Sequence, residues 1–334
     1  MYSYLLTGLI AGIASSVLYI SGSIGASLSL FLYFLAPLPL FITGLGWGAV
    51  SAVAGAIAGV IVCVLIAGPL TGLVYFITIG LIPIVLCYYA LMSRASDEDT
   101  QTSSKSSKPR DWYPLGSLIL WIAGFATALT AVVILFIMPS TPELKPALTA
   151  LFEAILDQNP QLKARLGGEE AVLQLVGLFI ALLPTTLASY TFVSTGFNLW
   201  LASKIITTSG RNIRPAFVLS STRYPTILPL VLVGMVAVSF LPGALHTIAL
   251  AGSTALTLTF MFLGLLVIHA LVPEVPARAV FLGMIYVTVF ILLKYAYFVI
   301  ALVGIAETVF GIRQRFARAR PPSNINPPPG PSGD

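Results

Sequence analysis

Charged side chains are scarce in this sequence. Lysine, arginine, aspartate and glutamate together make up 9% of the 334 residues, whereas a soluble domain carries about 25%. Hydrophobic residues make up 57% of the chain, and its mean hydropathy is +0.97. So few charges cannot cover a water-facing surface of ordinary size, which excludes a soluble globular protein.

Cysteine and histidine are also nearly absent, and this limits the chemistry of the chain. Cys63 and Cys87 lie inside apolar segments without CxxC spacing, so we expect packing residues rather than a disulfide or a metal site. His246 and His269 stand far apart, and neither belongs to an HxxxH or HExxH pattern. The sequence therefore predicts no metal and no cofactor.

The usual motifs of catalysis and nucleotide binding are missing. There is no GxSxG and no GxxxxGK[ST], and "GLGWG" at 44–48 is neither GxGxxG nor preceded by a strand. We therefore expect the chain not to be an enzyme. The net charge of +5 comes without a basic patch interleaved with aromatic residues, so we expect no nucleic-acid partner.

Long apolar runs are abundant, and they indicate membrane spans. About 20 apolar residues in helix cross a bilayer, and these runs are continuous rather than alternating, which favours helices over a β-barrel. The sequence predicts an all-α, polytopic transmembrane helical bundle in the lipid bilayer, with about 8–9 spans. The runs lie at about 4–22, 26–43, 46–66, 69–92, 115–138, 171–202, 225–241, 246–271 and 279–306.

The segments between the runs suggest the domain organisation. N-terminal membrane helices (1–92) and C-terminal membrane helices (115–308) flank a polar, serine-rich linker at 93–114, which we expect to be cytoplasmic. The extramembrane loop 139–170 predicts an amphipathic helix, either interfacial or folded over the ends of the spans. One face of this helix carries Leu148, Leu151, Phe152, Ile155 and Leu156. Residues 309–334 read as a basic and then proline-rich disordered tail.

Basic residues predict the sidedness of the loops. Loop 203–223 contains no acid and should be cytoplasmic; its cations are Lys204, Arg211, Arg214 and Arg223. The C-terminal basic residues should also be cytoplasmic; they include Arg313, Arg315, Arg318 and Arg320. Three single crossings between these two regions would place the tail outside. Either 279–306 or the short 225–241 should therefore fail to cross once.

A stripe of small residues runs through the segment from Ala36 to Val60, at steps of three and four that keep side chains on one helical face. The stripe comprises Gly44, Gly48, Ala52, Gly55 and Gly59. Such a face lets helices approach closely, either within the chain or with a membrane coupling subunit or other protein partner.

Four residues suggest a substrate site. Pro37 and Pro39 should break the helix before the stripe, and broken helices at membrane depth are frequent at transporter binding sites. Asn198 would hydrogen-bond between helices or reach the substrate. Lys294 lies deep in an apolar run, where a charge costs on the order of 2.5–3.5 kcal/mol unless paired or hydrated. Its side chain would contact a substrate anion or snorkel to the surface.

Several segments together resemble a known family. They are "LAPLPLFITGLGWGAVSAVAGAIAG", "AGPLTGLVYFITIGLIPIVL", "FNLWLASKIITTSGRNIRP", "GLLVIHAL" and "GIAETVFGIRQRF". From about residue 5 to 316 the chain resembles the YybS-like family of uncharacterised bacterial multi-pass membrane proteins. More distantly, it is similar to the S components of energy-coupling-factor transporters.

The resemblance implies a bacterial inner-membrane location and a helical bundle whose small-residue face docks a coupling subunit. It also implies a transport-related role, as a solute-binding or S-component-like subunit that works with partners. The chain departs from the S components in having more than six spans and in the extra segments 93–114 and 139–170. The alternative function is a non-transporting membrane scaffold or assembly factor.

Overall fold

The structure is a computed structural model that describes residues 2–22, 27–95, 110–137, 144–158, 161, 169–272, 278–291 and 293–319. Nearly all of these residues are helical, which confirms the predicted all-α bundle. The chain forms two compact units, Met1–Thr259 and Phe260–Asp334.

Unit 1 contains the helices α1 (Tyr2–Ser21), α2 (Ser27–Phe34), α3 (Leu38–Trp47), α4 (Ala49–Ala67), α5 (Pro69–Tyr75), α6 (Leu81–Ala90), α7 (Leu115–Val132), α8 (Leu144–Asp157), α9 (Glu169–Thr208) and α10 (Leu228–Val238). A π-helical turn, Phe76–Gly80, joins α5 to α6, and another, Val133–Ile137, extends α7. Helix α11 (Ala244–Leu271) continues into unit 2, which also holds α12 (Arg278–Ile291), α13 (Leu293–Phe310) and α14 (Ile312–Ala319).

Within the described residues, seven segments are long and apolar enough to cross a membrane, and the protein is therefore a multi-pass integral membrane protein. The segments are Tyr4–Ser21, Leu28–Trp47, Ala49–Ala67, Pro69–Ala90, Leu115–Phe136, Glu169–Thr208 and Ala244–Leu271. Three shorter apolar helices accompany them, at Leu228–Val238, Ala279–Thr288 and Tyr295–Phe310.

The predicted runs 225–241 and 279–306, one of which was expected not to cross the membrane once, both differ from a single full-length helix in the structure. Helix α10 has 11 residues and rises only about 16 Å at 1.5 Å per residue, roughly half of a bilayer core. The predicted span 279–306 is divided between α12 and α13, with Lys294 as the second residue of α13. The side chain of Lys294 lies outside the described residues.

In two helical hairpins, a single glycine joins one helix to the next. Gly48 joins α3 to α4 with φ +100°, and Gly68 joins α4 to α5 with φ +88°, a region that side chains with a Cβ rarely adopt. Helical spacing predicts Gly48 on the packing face, and this prediction is wrong. A Cβ added there would meet open space, so this glycine is required by the backbone conformation of the corner.

The remaining small residues of the stripe face other helices of the same chain. A Cβ added at Gly44 would lie 2.5 Å from Sγ of Cys87 on α6, and one at Gly59 would overlap the hydroxyl of Tyr75 on α5. Ala52 is fully buried. The stripe is therefore filled from within the chain.

Helices α1 and α4 run parallel with their backbones in contact. A Cβ added at Gly12 would overlap the carbonyl oxygen of Gly55, and one at Gly8 would lie 2.5 Å from the carbonyl oxygen of Ser51. Lipid tails provide no hydrophobic force between helices, so close packing of small residues stabilises such pairs. The contact uses Gly55 of the predicted stripe and two α1 glycines that the sequence analysis did not single out.

The linker contains a short strand pair that the sequence did not predict. Strands β1 (Ser93–Ala95) and β2 (Arg110–Trp112) are antiparallel, with Arg94 opposite Asp111. Residues 96–109 lie outside the described part. Both sides of the linker belong to unit 1, so 93–114 does not separate the two compact units.

Helix α8 is the amphipathic helix expected in loop 139–170. Leu148, Phe152 and Leu156 form a cluster with Val172 and Val176 near the start of α9. The predicted apolar face is divided, because Leu151 and Ile155 remain 54% and 51% exposed. Helix α8 therefore packs against the beginning of α9, while part of its apolar surface remains exposed.

In unit 2, the end of α13 is tied to α14 by an ion pair. The Arg313 Nε donates to Glu307 Oε1 at 2.8 Å, and the backbone N–H of Arg313 donates to Oε2 at 2.9 Å. The two side chains are only 10% and 7% exposed. Arg313 is therefore a structural partner of Glu307, whereas Arg315 is exposed.

Candidate solute site at a broken helix

The two prolines interrupt the helix as predicted. In a continuous helix each N–H donates to the carbonyl four residues earlier, and proline has no N–H to donate. Between α2 and α3 the backbone instead makes tight turns, with Ala36 N donating to Tyr33 O at 3.1 Å and Leu38 N to Leu35 O at 2.9 Å. The carbonyl oxygens of Phe34 and Ala36 can therefore accept hydrogen bonds from side chains of other helices.

Helix α9 supplies the donors for the first of these carbonyls. Asn198 Nδ2 donates to Phe34 O at 2.8 Å, and Ser194 Oγ donates to the same oxygen at 3.0 Å. Asn198 thus bonds between helices, one of the two roles expected for it. Since polar groups inside a bundle need partners, this side chain stabilises the break between α2 and α3.

Helix α1 supplies the donor for the second carbonyl, and α5 holds that donor in place. Ser15 Oγ donates to Ala36 O at 2.6 Å, and the Tyr75 hydroxyl donates to Ser15 Oγ at 2.8 Å. The break is therefore held by side chains from three other helices.

The break lies near the middle of Leu28–Trp47, a segment long and apolar enough to cross a membrane. At 1.5 Å per residue, Asn198 lies about 15 Å from the end of α9, and Ala36 about 16 Å from the end of α3 at Trp47. These distances are about half of a 30 Å hydrocarbon core. Pro37 is buried there, and Pro39 is partly buried.

Asn198 leaves one polar atom without a partner. Its Nδ2 lies 2.8 Å from the carbonyl oxygens of both Phe34 and Ser194. Carbonyl oxygens only accept hydrogen bonds, so the orientation of the amide follows from its neighbours. Oδ1 then has no hydrogen-bond partner among the described residues, although Asn198 is fully buried. A buried acceptor in this state costs about 1–3 kcal/mol.

Aromatic rings surround the broken segment. Tyr33 stacks on Tyr190 with ring centroids 5.9 Å apart, and Tyr19 lies 5.7 Å from Tyr33. Phe34 contacts both Tyr190 at 6.0 Å and Phe197 at 5.5 Å. The surroundings of Asn198 therefore combine an unused acceptor with apolar ring faces.

Three of the four residues of the predicted substrate site lie in the part of unit 1 described above. Pro37, Pro39 and Asn198 lie at the break, whereas Lys294 belongs to unit 2. Ser15 and Ser194 contribute to the site but were not predicted. A signal for the second existed in the sequence, since Tyr190, Ser194 and Asn198 recur every four residues in an otherwise apolar helix.

The predicted basic turn near residue 214 lies at one end of unit 1. Arg214 Nη1 donates to Ala90 O at 2.8 Å and Tyr113 O at 3.4 Å, while its guanidinium lies 4.3 Å from the Phe217 ring centre. Burial lowers the pKa of Arg214 to about 10, so it remains charged at neutral pH. Arg211 lies 4.9 Å over the ring of Trp47.

Comparison of the chain with family models, curated proteins and solved structures finds no match. The resemblance to the YybS-like family therefore stays a prediction. Among the residues that the structure describes, no three histidine, cysteine, aspartate or glutamate side chains are grouped as metal ligands would be.

Proposed function

We propose that this integral membrane protein takes part in transport by binding a small solute at the break between α2 and α3. The observation that carries the proposal is the unpaired Oδ1 of the fully buried Asn198. A solute that donates a hydrogen bond would satisfy this acceptor, and helix breaks at mid-membrane are typical of transporter binding sites.

The character of the site supports an uncharged region of the solute at this position. The groups around the break are an amide, hydroxyls and aromatic rings, among them Tyr33 and Tyr190. Since the sequence has no ATP-binding motif, active transport would require partner subunits or an ion gradient. Membership of the YybS-like family, an S-component-like role and a bacterial inner-membrane location are part of the same proposal.

The scaffold alternative has weaker support. It relied on the small-residue stripe as a face for protein partners, and Gly44, Gly55 and Gly59 contact α6, α1 and α5 of the same chain. A partner would have to displace these helices in order to use the stripe.

The proposal can be tested by identifying what the protein carries. Wild type and an Asn198→Leu variant would be purified in mild detergent, and the released small molecules identified by mass spectrometry. We expect a compound that accompanies wild type and is lost from the variant. Gln174→Leu is the matched control, because it removes an exposed amide from the same helix. No specific compound, or equal amounts from wild type and Asn198→Leu, would contradict the proposal.

A further inference from the structure

The end of unit 1 formed by residues 203–223, here called the basic end, is rich in positively charged residues. Its cations are Lys204, Arg211, Arg214 and Arg223, and the segment contains no acid. The nearby strand pair contains Asp111, which lies 3.8 Å from Arg94. The charge of this end therefore favours an anionic ligand.

A small cleft opens within the basic end. Ser203 and Thr207 on α9 line it, together with Asn212 and Arg214 of the loop that follows. Its enclosed part has room for about one water-sized group, which is also the size of a single phosphate oxygen. The rest of such an anion would lie at the open mouth.

Arg214 lines this cleft, and its guanidinium is held in a fixed orientation. Two backbone carbonyls, those of Ala90 and Tyr113, hold its Nη1. Its Nε is buried and has no hydrogen-bond partner among the described residues. A guanidinium whose orientation is already set binds phosphate oxygens with little further ordering.

An apolar surface on α9 leads to the same cleft. Phe197, Trp200, Lys204 and Thr207 follow one another at steps of four and three, so they share a helical face. Phe197 and Trp200 are 40% and 45% exposed, with ring centroids 5.8 Å apart. Lys204 is exposed one turn further on, and Thr207 lines the cleft. Apolar residues are thus followed by cationic and polar ones. An amphiphilic molecule with an apolar part and an anionic headgroup would fit this order.

We propose that the cleft at the basic end binds the phosphate of an anionic phospholipid headgroup, with its acyl chains along Phe197 and Trp200. A free phosphate ion would use the charge and the Arg214 donor but would leave the apolar surface unexplained. A lipid uses both, and cationic residues next to a membrane span attract anionic lipids. The residues that line the cleft are not those of the solute site at Asn198, although Phe197 borders both regions.

Native mass spectrometry of the purified full chain tests this assignment. The protein would be mixed with equal amounts of phosphatidylglycerol and phosphatidylcholine of identical acyl chains. We expect wild type to retain phosphatidylglycerol preferentially. A Lys204→Gln/Arg211→Gln variant should lose this retention roughly fivefold for each cation removed. Lys145→Gln, which removes an exposed cation from α8 at the opposite end of α9 in unit 1, should behave as wild type.

A second variant addresses the guanidinium of Arg214. Arg214→Lys keeps the positive charge but lacks the planar guanidinium, so it should weaken the preference for phosphatidylglycerol. Because Arg214 also ties the loop to α6, the exposed double variant remains the decisive test if Arg214→Lys fails to fold. Equal retention of the two lipids, or an unchanged preference in the double variant, would overturn the proposal. Displacement of bound lipid by millimolar inorganic phosphate would overturn the lipid assignment in favour of a soluble anion.

Discussion

The carbonyl of Phe34 should depend on two donors that can replace one another in part. Ser194→Ala and Asn198→Leu each leave it one donor, at 2.8 Å from Asn198 or 3.0 Å from Ser194. An interhelical hydrogen bond in a membrane contributes about 0.6 kcal/mol on average and up to about 1.7. Ser194→Ala should therefore lower the free energy of unfolding by about 1 kcal/mol. Asn198→Leu should lower it by less, because this variant also removes the unpaired buried Oδ1.

The double variant should cost more than the sum of the two single ones. With both donors gone, Phe34 O has lost its helical and its interhelical partners, and an unsatisfied carbonyl costs about 1–3 kcal/mol. Reversible unfolding in mixed micelles measures all four proteins of the cycle. Thr208→Val is the control, since its hydroxyl bonds only to Lys204 O of its own helix at 2.9 Å. Additivity within about 0.5 kcal/mol would refute the role assigned to these donors.

Two further predictions concern packing and the C-terminal helix. Gly12→Val should destabilise the protein by about 3 kcal/mol, because its side chain would overlap the backbone of Gly55, whereas Gly124→Ala meets open space and should be neutral or slightly stabilising. Equal effects in the unfolding assay would argue against the α1–α4 contact. Arg313→Gln leaves Glu307 buried without its cation, a loss of about 3–5 kcal/mol for a buried pair. Amide hydrogen exchange should accelerate in α14 and not in α1; unchanged exchange in α14 would contradict the pairing.

The spans were predictable because their signal is local. Helices such as α4 and α7 coincide with uninterrupted apolar runs, and membrane length fixes how long a run must be. Helix α9 was predicted at 171–202, but it extends over Glu169–Thr208. Its last turns contain Lys204 and the hydroxyls of Thr207 and Thr208, so the apolar run ends before the helix does.

The candidate site was predictable only in part. Proline chemistry identifies the break at Pro37 and Pro39 from the sequence alone. The donors from Ser15 and Ser194 depend on how α1 and α9 are placed beside α2, which is tertiary information. The sequence shows that Asn198 is a polar residue in an apolar helix. It does not show that the Oδ1 of this side chain lacks a hydrogen-bond partner.

Spacing alone also misassigned one residue of the stripe. Gly48 satisfies the helical periodicity, yet it lies at a corner with φ +100°. Periodicity assumes that the helix continues, whereas the boundary between the predicted runs 26–43 and 46–66 already allowed either a tight hairpin or one broken helix. The strand pair at Ser93–Ala95 and Arg110–Trp112 was missed for a related reason, because three-residue strands are too short for an alternating pattern.

The central claim is that a solute occupies the break and bonds to Asn198. The most direct measurement is the stabilisation of purified wild type and Asn198→Leu by the compound released from wild type. At a hundredfold excess over its dissociation constant, the compound should stabilise wild type by about 2.7 kcal/mol and the variant far less. Equal stabilisation of the two proteins, or none of wild type, would contradict the claim.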